Sequence, residues 1–585
     1  MNTFFKIFFA SLLALAVFSV IMFFVLMGTI SGLTSSEDVK TGSRAVLVVN
    51  LADSYPEITT PNPLAVLTES ETYEVPSLSN VIRLIQKAKS DSAIKGIYIN
   101  SGGNANEFGS NDEIRNALLD FRTSGKFIYA YGDVISQNAY HVASVADKVY
   151  CNPHGGLDWT GFVMQMAYLK GTLEKLDVEP QIFYAGKYKS ATEPFRETRM
   201  TEPNKVQVTE LLNDLYNHFL QQVSVARKID TASLRRYAVE SLIRFPQDAL
   251  NYKLVDGLRY DDEVRNEIRT SLNIPATEKI NFISLGKYAQ AVSLRKTGTN
   301  KVAVIYAAGN IVDGKGDRSQ IGGDTYRNLV RKARLDKNVK AIVLRVNSGG
   351  GSALASENIW RELSLAKKEK PVIVSFGDVA ASGGYYIAAG ADSIFAQPNT
   401  ITGSIGVFTL IPNMKGLFNN KLGMTFDAVK TAPDADAGTV VQPLTASQAR
   451  YFQQSVDSIY YLFKQRVSEG RGLNIDFVDS VGQGRIWSGS RATSIGLVDR
   501  IGGLEDAIAS AAKMAKLDDY GLREYPEPQN IFSYFMGSRE ETMKREAIEN
   551  ELGKDGIKTY KALRSLKDMI GITQARIPFT YQLQQ

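Results

Sequence analysis

The stretch "GDVAASGGYYIAAGADSIFAQPNTITGSIGV" runs from Gly377 to Val407. It ends one apolar run, turns through Ala381-Ser382-Gly383-Gly384, continues as an apolar helical segment and returns as a second apolar run, "ADSIFAQP". Two strands without a polar face, joined by a helix, imply parallel β-structure covered by helices. Working outward, "KVAVIYAAG" (301–309), "VKAIVLRVN" (339–347) and "PVIVSFGD" (371–378) extend the set of buried strands. "ALASENIWRELSLAKKE" (353–369) carries its apolar residues at helical spacing.

The same pattern occurs earlier in the chain. "YGDVISQNAYHVASVADKVYCNP" (131–153) aligns without a gap on 376–398 at a shift of 245, matching Gly132, Asp133, Val134, Tyr140, Ala143, Ala146, Asp147 and Pro153 with their partners. "IKGIYIN" (94–100) meets "VKAIVLRVN" at the same shift, and "KLVDGL" (253–258) meets "GLVDRI" (496–501) at 243. So constant an offset marks an internal duplication. The expected organisation is an N-terminal anchor (1–36), a first repeat unit (44–265), a junction (266–300), a second unit (301–520) and a C-terminal helical extension (521–585), whose charged helical part runs from about 538 to 570.

Composition narrows the function. A chain of 585 residues exceeds one core, and a formal net charge of +5 without a basic block argues against nucleic-acid binding. The single cysteine, Cys151, excludes an internal disulfide. Three histidines (His141, His154, His218) show no HExxH spacing, so no catalytic metal is expected, and "NSGGGS" (347–352) fits neither GxGxxG nor GxxxxGK(S/T), so no nucleotide cofactor is expected. At the N-terminus, residues 7–28 contain no charge, long enough at about 1.5 Å per residue to span a bilayer core of roughly 30 Å. That length exceeds a signal-peptide apolar region, and Lys6 ahead of it places the N-terminus in the cytoplasm and the body outside.

Ser382 stands where a strand hands over to a helix, with small neighbours that let another backbone approach. The Gly383 amide faces any charge that develops beside it, and a second glycine turn, "VNSGGGSA" (346–353), offers Gly350 or Gly351 as a further donor. Both turns are equally compatible with tight connections that do no chemistry. A nucleophilic serine needs a base, and the second unit has no histidine; His141 aligns with Tyr386, a packing position. A buried lysine can serve, because desolvation disfavours its charged form. Ser364 and Lys367 of "SLAK" lie on a charged helix face, and "KTG" (296–298) precedes rather than follows them.

"VNSGGGSALASE", "VAASGGYYIA", "TGSIGV" and, in the first unit, "GKYKSATEPF" (186–195) together resemble the long, tandem-repeat form of the signal peptide peptidase A family. The resemblance implies two ClpP/crotonase-like units and a bacterial Ser-Lys endopeptidase of the cytoplasmic membrane, single-pass and facing outward, that degrades signal-peptide remnants as a homotetramer. It implies Ser382 as nucleophile, Lys189 as general base and Ser404 as the residue that positions the lysine. The family's glycine turn carries proline where this chain has Gly349. At the 245 shift Ser382 falls on Gln137 and Lys189 on Asp434, so each unit lacks what the other keeps. An acyl-CoA enzyme of the crotonase type and an inactive scaffold are the competing readings.

Overall fold

The computed structural model describes residues 40–61, 74–294, 296–527, 569–577 and 583–584, together with most of 7–22. In the first unit the elements that position the site and its sheets include β1 (Ala45–Asn50), α1 (Leu78–Ser90), β2 (Ile94–Asn100), α2 (Phe108–Arg122), β3 (Phe127–Ile135), α3 (Gln137–Ala143), β4 (Lys148–Leu157), β5 (Glu179–Ala185), α4 (Glu202–Arg227), β6 (Gly257–Leu258) and β7 (Phe282–Ser284). The second unit contains β8 (Lys301–Ala308), β9 (Asn310–Val312), β10 (Gln320–Gly322), α5 (Gly323–Leu335), β11 (Val339–Ser348), β12 (Gly350–Ser352), α6 (Ala353–Lys367), β13 (Val372–Ala381) and α7 (Gly383–Ala388). It continues through β14 (Ser393–Ala396), β15 (Ile401–Gly403), β16 (Val407–Asn413), α8 (Ala446–Arg471), β17 (Ile486–Ser488) and β18 (Gly521–Tyr525), and β19 (Gln574–Arg576) lies near the C-terminus.

Two parallel sheets follow, ordered β7-β1-β2-β3-β4-β6 and β17-β15-β13-β11-β8-β18, with β14 beside β13 and only β17 antiparallel. The apolar runs explain the parallel pairing. In β11 every residue but Lys340 and Asn347 is buried, so helices must cover both faces. The duplication extends to individual hydrogen bonds. The Tyr385 hydroxyl donates to Leu497 O at 2.9 Å as the Tyr140 hydroxyl does to Leu254 O. Lys126 donates to Ala88 O and Asp91 O as Lys370 does to Ala333 O and Asp336 O.

A third sheet, β10-β9-β12-β19-β16-β5, joins strands from distant parts of the chain. First-unit β5 runs antiparallel to second-unit β16, from Ala185↔Val407 to Glu179↔Asn413. The units also share a buried ion cluster: Arg345, 1% exposed, donates to Glu57 at 3.0 Å and Glu113 at 2.6 Å. Beside it, Ser110 N and Oγ each donate to Asp378 at 2.7 Å.

Two expectations change. The junction contributes β7 to the first sheet beside β1, a strand of three residues that is too short to show a period. Residues 521–525 are a strand parallel to β8, and 574–576 are a strand as well, so the described parts of the C-terminal extension add to sheets rather than forming helix. The helical stretch expected at 538–570 lies almost wholly outside the described residues, as does much of the span at 7–28. Among the described residues no helix is long and apolar enough to cross a membrane.

Candidate active site

Ser382 follows the last residue of β13 and caps α7 with φ 54° and ψ −115°, a conformation that side-chain-bearing residues avoid and that costs about 1–3 kcal/mol. Its backbone is held at both ends: Ser382 N donates to Gly403 O and Tyr386 N donates to Ser382 O, each at 2.8 Å. The aligned turn in the first unit is relaxed. There Ser136 caps α3 at φ −71°, and Gln137 exchanges two hydrogen bonds with Gly161.

Lys189 arrives from the other unit. β5 ends at Ala185, paired with Val407, three residues beyond Ser404. The chain then turns, with Tyr188 N donating to Gln483 O at 2.7 Å and Gln207 Nε2 donating to Tyr188 O at 3.0 Å. Gly484 is what lets this turn close. Its φ is +77°, and a Cβ there would lie 2.6 Å from Lys189 N and 2.7 Å from Lys189 Cα.

The Lys189 Nζ lies 2.8 Å from Ser382 Oγ, 3.1 Å from Ser404 Oγ and 3.3 Å from Ser404 O. All three residues are buried, and among the described residues no carboxylate pairs with the amine. Burial alone therefore holds the Lys189 pKa well below the ordinary lysine value. A neutral amine has two N–H donors and one lone pair. Two donors suit the Ser404 oxygens, which leaves the lone pair to accept the Ser382 hydroxyl. The hydroxyl's other acceptor, Gly406 O, is 3.4 Å away, longer than an ordinary hydrogen bond.

Beside Ser382 the glycine turn takes up φ +94° at Gly350, where a Cβ would lie 2.6 Å from Gly383 N. Gly350 N donates to Ser348 Oγ at 3.1 Å, so its amide is engaged. The Gly351 amide faces the strand on the other side, because the β12–β19 ladder bonds at Gly349–Ile577 and Ala353–Thr573 and must alternate between them. A cleft of about 270 Å³ continues past Gly349, between Glu107, Phe108, Met164 and Leu215 of the first unit and Asp378 of the second. Burial and the neighbouring Asp378 push the Glu107 carboxyl up to about 7.

The remaining candidates lie apart from this site. Ser364 Oγ donates to Trp360 O and Lys367 Nζ to Gly390 O. Asp434 accepts from Ser447 Oγ in an exposed loop. His141 is buried in α3, yet it is polar in function: His141 and His218 both meet Asp112 Oδ1, at 2.8 and 3.1 Å. Burial raises the Asp112 pKa, but these hydrogen bonds hold it down at about 2. Sequence reasoning missed this meeting, which joins α2, α3 and α4, and no spacing signals it.

The chain is 35% identical over 482 residues to "Protease 4" of Salmonella typhi, covering 80% of this chain and 77% of that protein. It is 37% identical over 451 residues to "Protease 4" of Haemophilus influenzae, covering 75% and 73%. It is 33% identical over 453 residues to "Serine protease SPPA, chloroplastic" of Arabidopsis thaliana, covering 75% and 66%. The profile described as "Peptidase family S49" matches twice, at residues 120–274 and 364–518. Two parallel α/β units, each matching one peptidase profile, define a tandem-repeat serine peptidase. The chain belongs to peptidase family S49.

Proposed function

We propose that this protein is a membrane-anchored Ser-Lys endopeptidase that degrades released signal peptides and other hydrophobic peptides at the extracytoplasmic face of the bacterial cytoplasmic membrane, as a homotetramer. One observation carries the chemistry: a lysine amine, buried with no counter-ion among the described residues, 2.8 Å from the hydroxyl of a conformationally strained serine. Lys189 takes the Ser382 proton as Oγ attacks a peptide carbonyl, and the amides of Gly383 and Gly351 receive the oxyanion. Gly351 is preferred to Gly350 because its N–H points into the slot that β19 fills, whereas the Gly350 N–H is turned to Ser348 Oγ. The lysinium protonates the leaving amine, and water then repeats the sequence on the acyl-enzyme. Ser404 orients the amine. The uncharged stretch at 7–28 supports the tether, which keeps the site beside lipid-borne peptides.

The test is turnover of an internally quenched hydrophobic peptide by the purified full chain in detergent. Ser382→Ala and Lys189→Ala should each lower kcat by at least about 10⁴-fold with the fold intact by circular dichroism. Turnover retained in either variant removes that residue from the dyad, and sedimentation as a monomer removes the tetramer.

A further inference from the structure

Behind the cleft, three side chains from three helices of the first unit converge on one point. His141 Nε2 of α3 lies 2.8 Å from Asp112 Oδ1 of α2, and His218 Nε2 of α4 lies 3.1 Å from the same oxygen. The three ligating atoms are all within 4.8 Å of one another. Asp112 and His141 are buried, whereas His218 keeps 15% of its side chain exposed. The acid's second oxygen is held from the other unit, where Asn399 Nδ2 donates to Asp112 Oδ2 at 3.1 Å.

The second unit shows the form this contact takes when it only braces helices. At the 245 shift Asp112 falls on Glu357 of α6 and His141 on Tyr386 of α7. The Tyr386 hydroxyl donates to Glu357 Oε2 at 2.6 Å, and Arg466 Nη2 of α8 donates to Glu357 Oε1 at 2.8 Å. Helices α4 and α8 are both 26 residues long, and with their starts matched Arg466 stands one turn beyond the position of His218. Tyrosine and arginine give the acid permanent donors. The first unit has an imidazole in each place, which keeps the brace and adds a lone pair that a metal can take. His141 Nδ1 has no partner among the described residues, so nothing at that nitrogen commits Nε2 to carrying the proton.

We infer that Asp112, His141 and His218 form a binding site for one divalent transition-metal ion of the zinc class. Two imidazole nitrogens and a carboxylate oxygen suit zinc and its neighbours, whereas calcium and magnesium take oxygen ligands. A tetrahedral zinc ion with bonds of about 2.0–2.2 Å spaces its ligands about 3.4 Å apart, so both contacts need open only by roughly half an ångström. The exposed flank of His218 gives the ion an entry and a water the fourth position. Arg115, one turn along α2, does not compete for the acid, because its guanidinium donates to His141 O, Ser144 Oγ and Gln222. Phe108 packs edge-on to His141, with ring centroids 5.8 Å apart, and both Phe108 and Asn399 line the cleft beside the glycine turn. A bound ion therefore braces one wall of that cleft.

The test titrates the untagged full chain in detergent, stripped of metal by a chelator, with Zn(II) and with Co(II). One ion per chain should bind, zinc should raise the melting temperature, and Co(II) should develop the visible d–d bands of a four-coordinate site. X-ray absorption of the zinc-loaded chain should show two imidazoles with oxygen ligands. His218→Gln should lose the Co(II) bands and weaken zinc binding beyond the roughly 100-fold that loss of a merely supporting residue causes. His154→Gln, at the remaining, exposed histidine, should bind as wild type does. A wild type that takes up no stoichiometric zinc, an absorption spectrum with one imidazole or none, or unchanged zinc affinity in His218→Gln overturns the inference. Should His218→Gln fail to fold, the absorption spectrum of the wild type decides.

Discussion

Lys189 shows how one side chain links stability to chemistry. Unfolded, it carries the ordinary lysine pKa; folded, burial lowers that value. Between the folded and unfolded values the unfolded chain binds more protons, so unfolding free energy rises with pH across that window. Below the folded value the whole penalty applies. Two outcomes follow from the sign. The value of kcat/KM should climb with pH through one ionisation that lies well under 10.5, the Lys189 titration. Lys189→Met, which cannot charge, should melt higher than wild type at neutral pH, with the gap closing toward pH 10.5. A Met variant that melts at or below wild type at neutral pH would show that the amine is not held uncharged by its surroundings. Ser404 contributes two of the three partners of Nζ, one from its side chain and one from its backbone. Ser404→Ala removes only the hydroxyl, a hydrogen bond of about 1–1.5 kcal/mol, so kcat should fall about 10-fold at unchanged KM. A loss as large as that of Lys189→Ala would mean that Ser404 does more than position the amine.

The β5–β16 pair is the element that makes a two-unit site possible. Seven residue pairs fix the end of β5 beside the start of β16, and Lys189 stands four residues beyond that end. The intervening turn closes against Gln483 and Gly484 because Gly484 has no side chain. Gly484→Ala adds a methyl to a left-handed position, where it would press on the Lys189 backbone from 2.6 Å. A displacement of about 1 Å at the amine should cost kcat on the order of 10²-fold, with the sheets intact by circular dichroism. Full activity in that variant would show that the turn has another way to seat the lysine. The strands within each unit were readable in the sequence, since a run such as "VKAIVLRVN" is apolar on both faces and admits few other structures. Membership of the third sheet was not. Periodicity reports which face of a strand is buried, but it carries nothing about which distant strand lies alongside, and β12 and β19 have only three residues each. The C-terminal segment consequently read as an elaboration rather than as the strand lying across the site.

At the scale of the whole molecule, duplication followed by complementary loss accounts for the architecture. Both units keep the same strand order and the same tyrosine, lysine and aspartate contacts. Only the second keeps the strained serine turn, and only the first supplies the amine. A shift of 245, gap-free around Ser382, made those losses visible in one sequence, because the positions at that offset hold Gln137 and Asp434. How tightly the units are joined was concealed. Arg345 lay in plain view as a charge inside an apolar strand, but its partners Glu57 and Glu113 are more than 200 residues away and follow no motif. The three groups are buried together, and Arg345 also donates to Ser375 Oγ and Phe376 O, so each charge depends on the others for its solvation. Arg345→Leu would strand two carboxylates at the interface, and breaking a buried pair in this way costs about 3–5 kcal/mol. The variant should therefore unfold at a markedly lower urea concentration. Because the same interface holds Lys189 against Ser382, peptide turnover should vanish together with the first spectroscopic transition, before the individual sheets melt. Turnover that outlasts that transition would mean that the β5–β16 pairing holds the site together without the ion cluster.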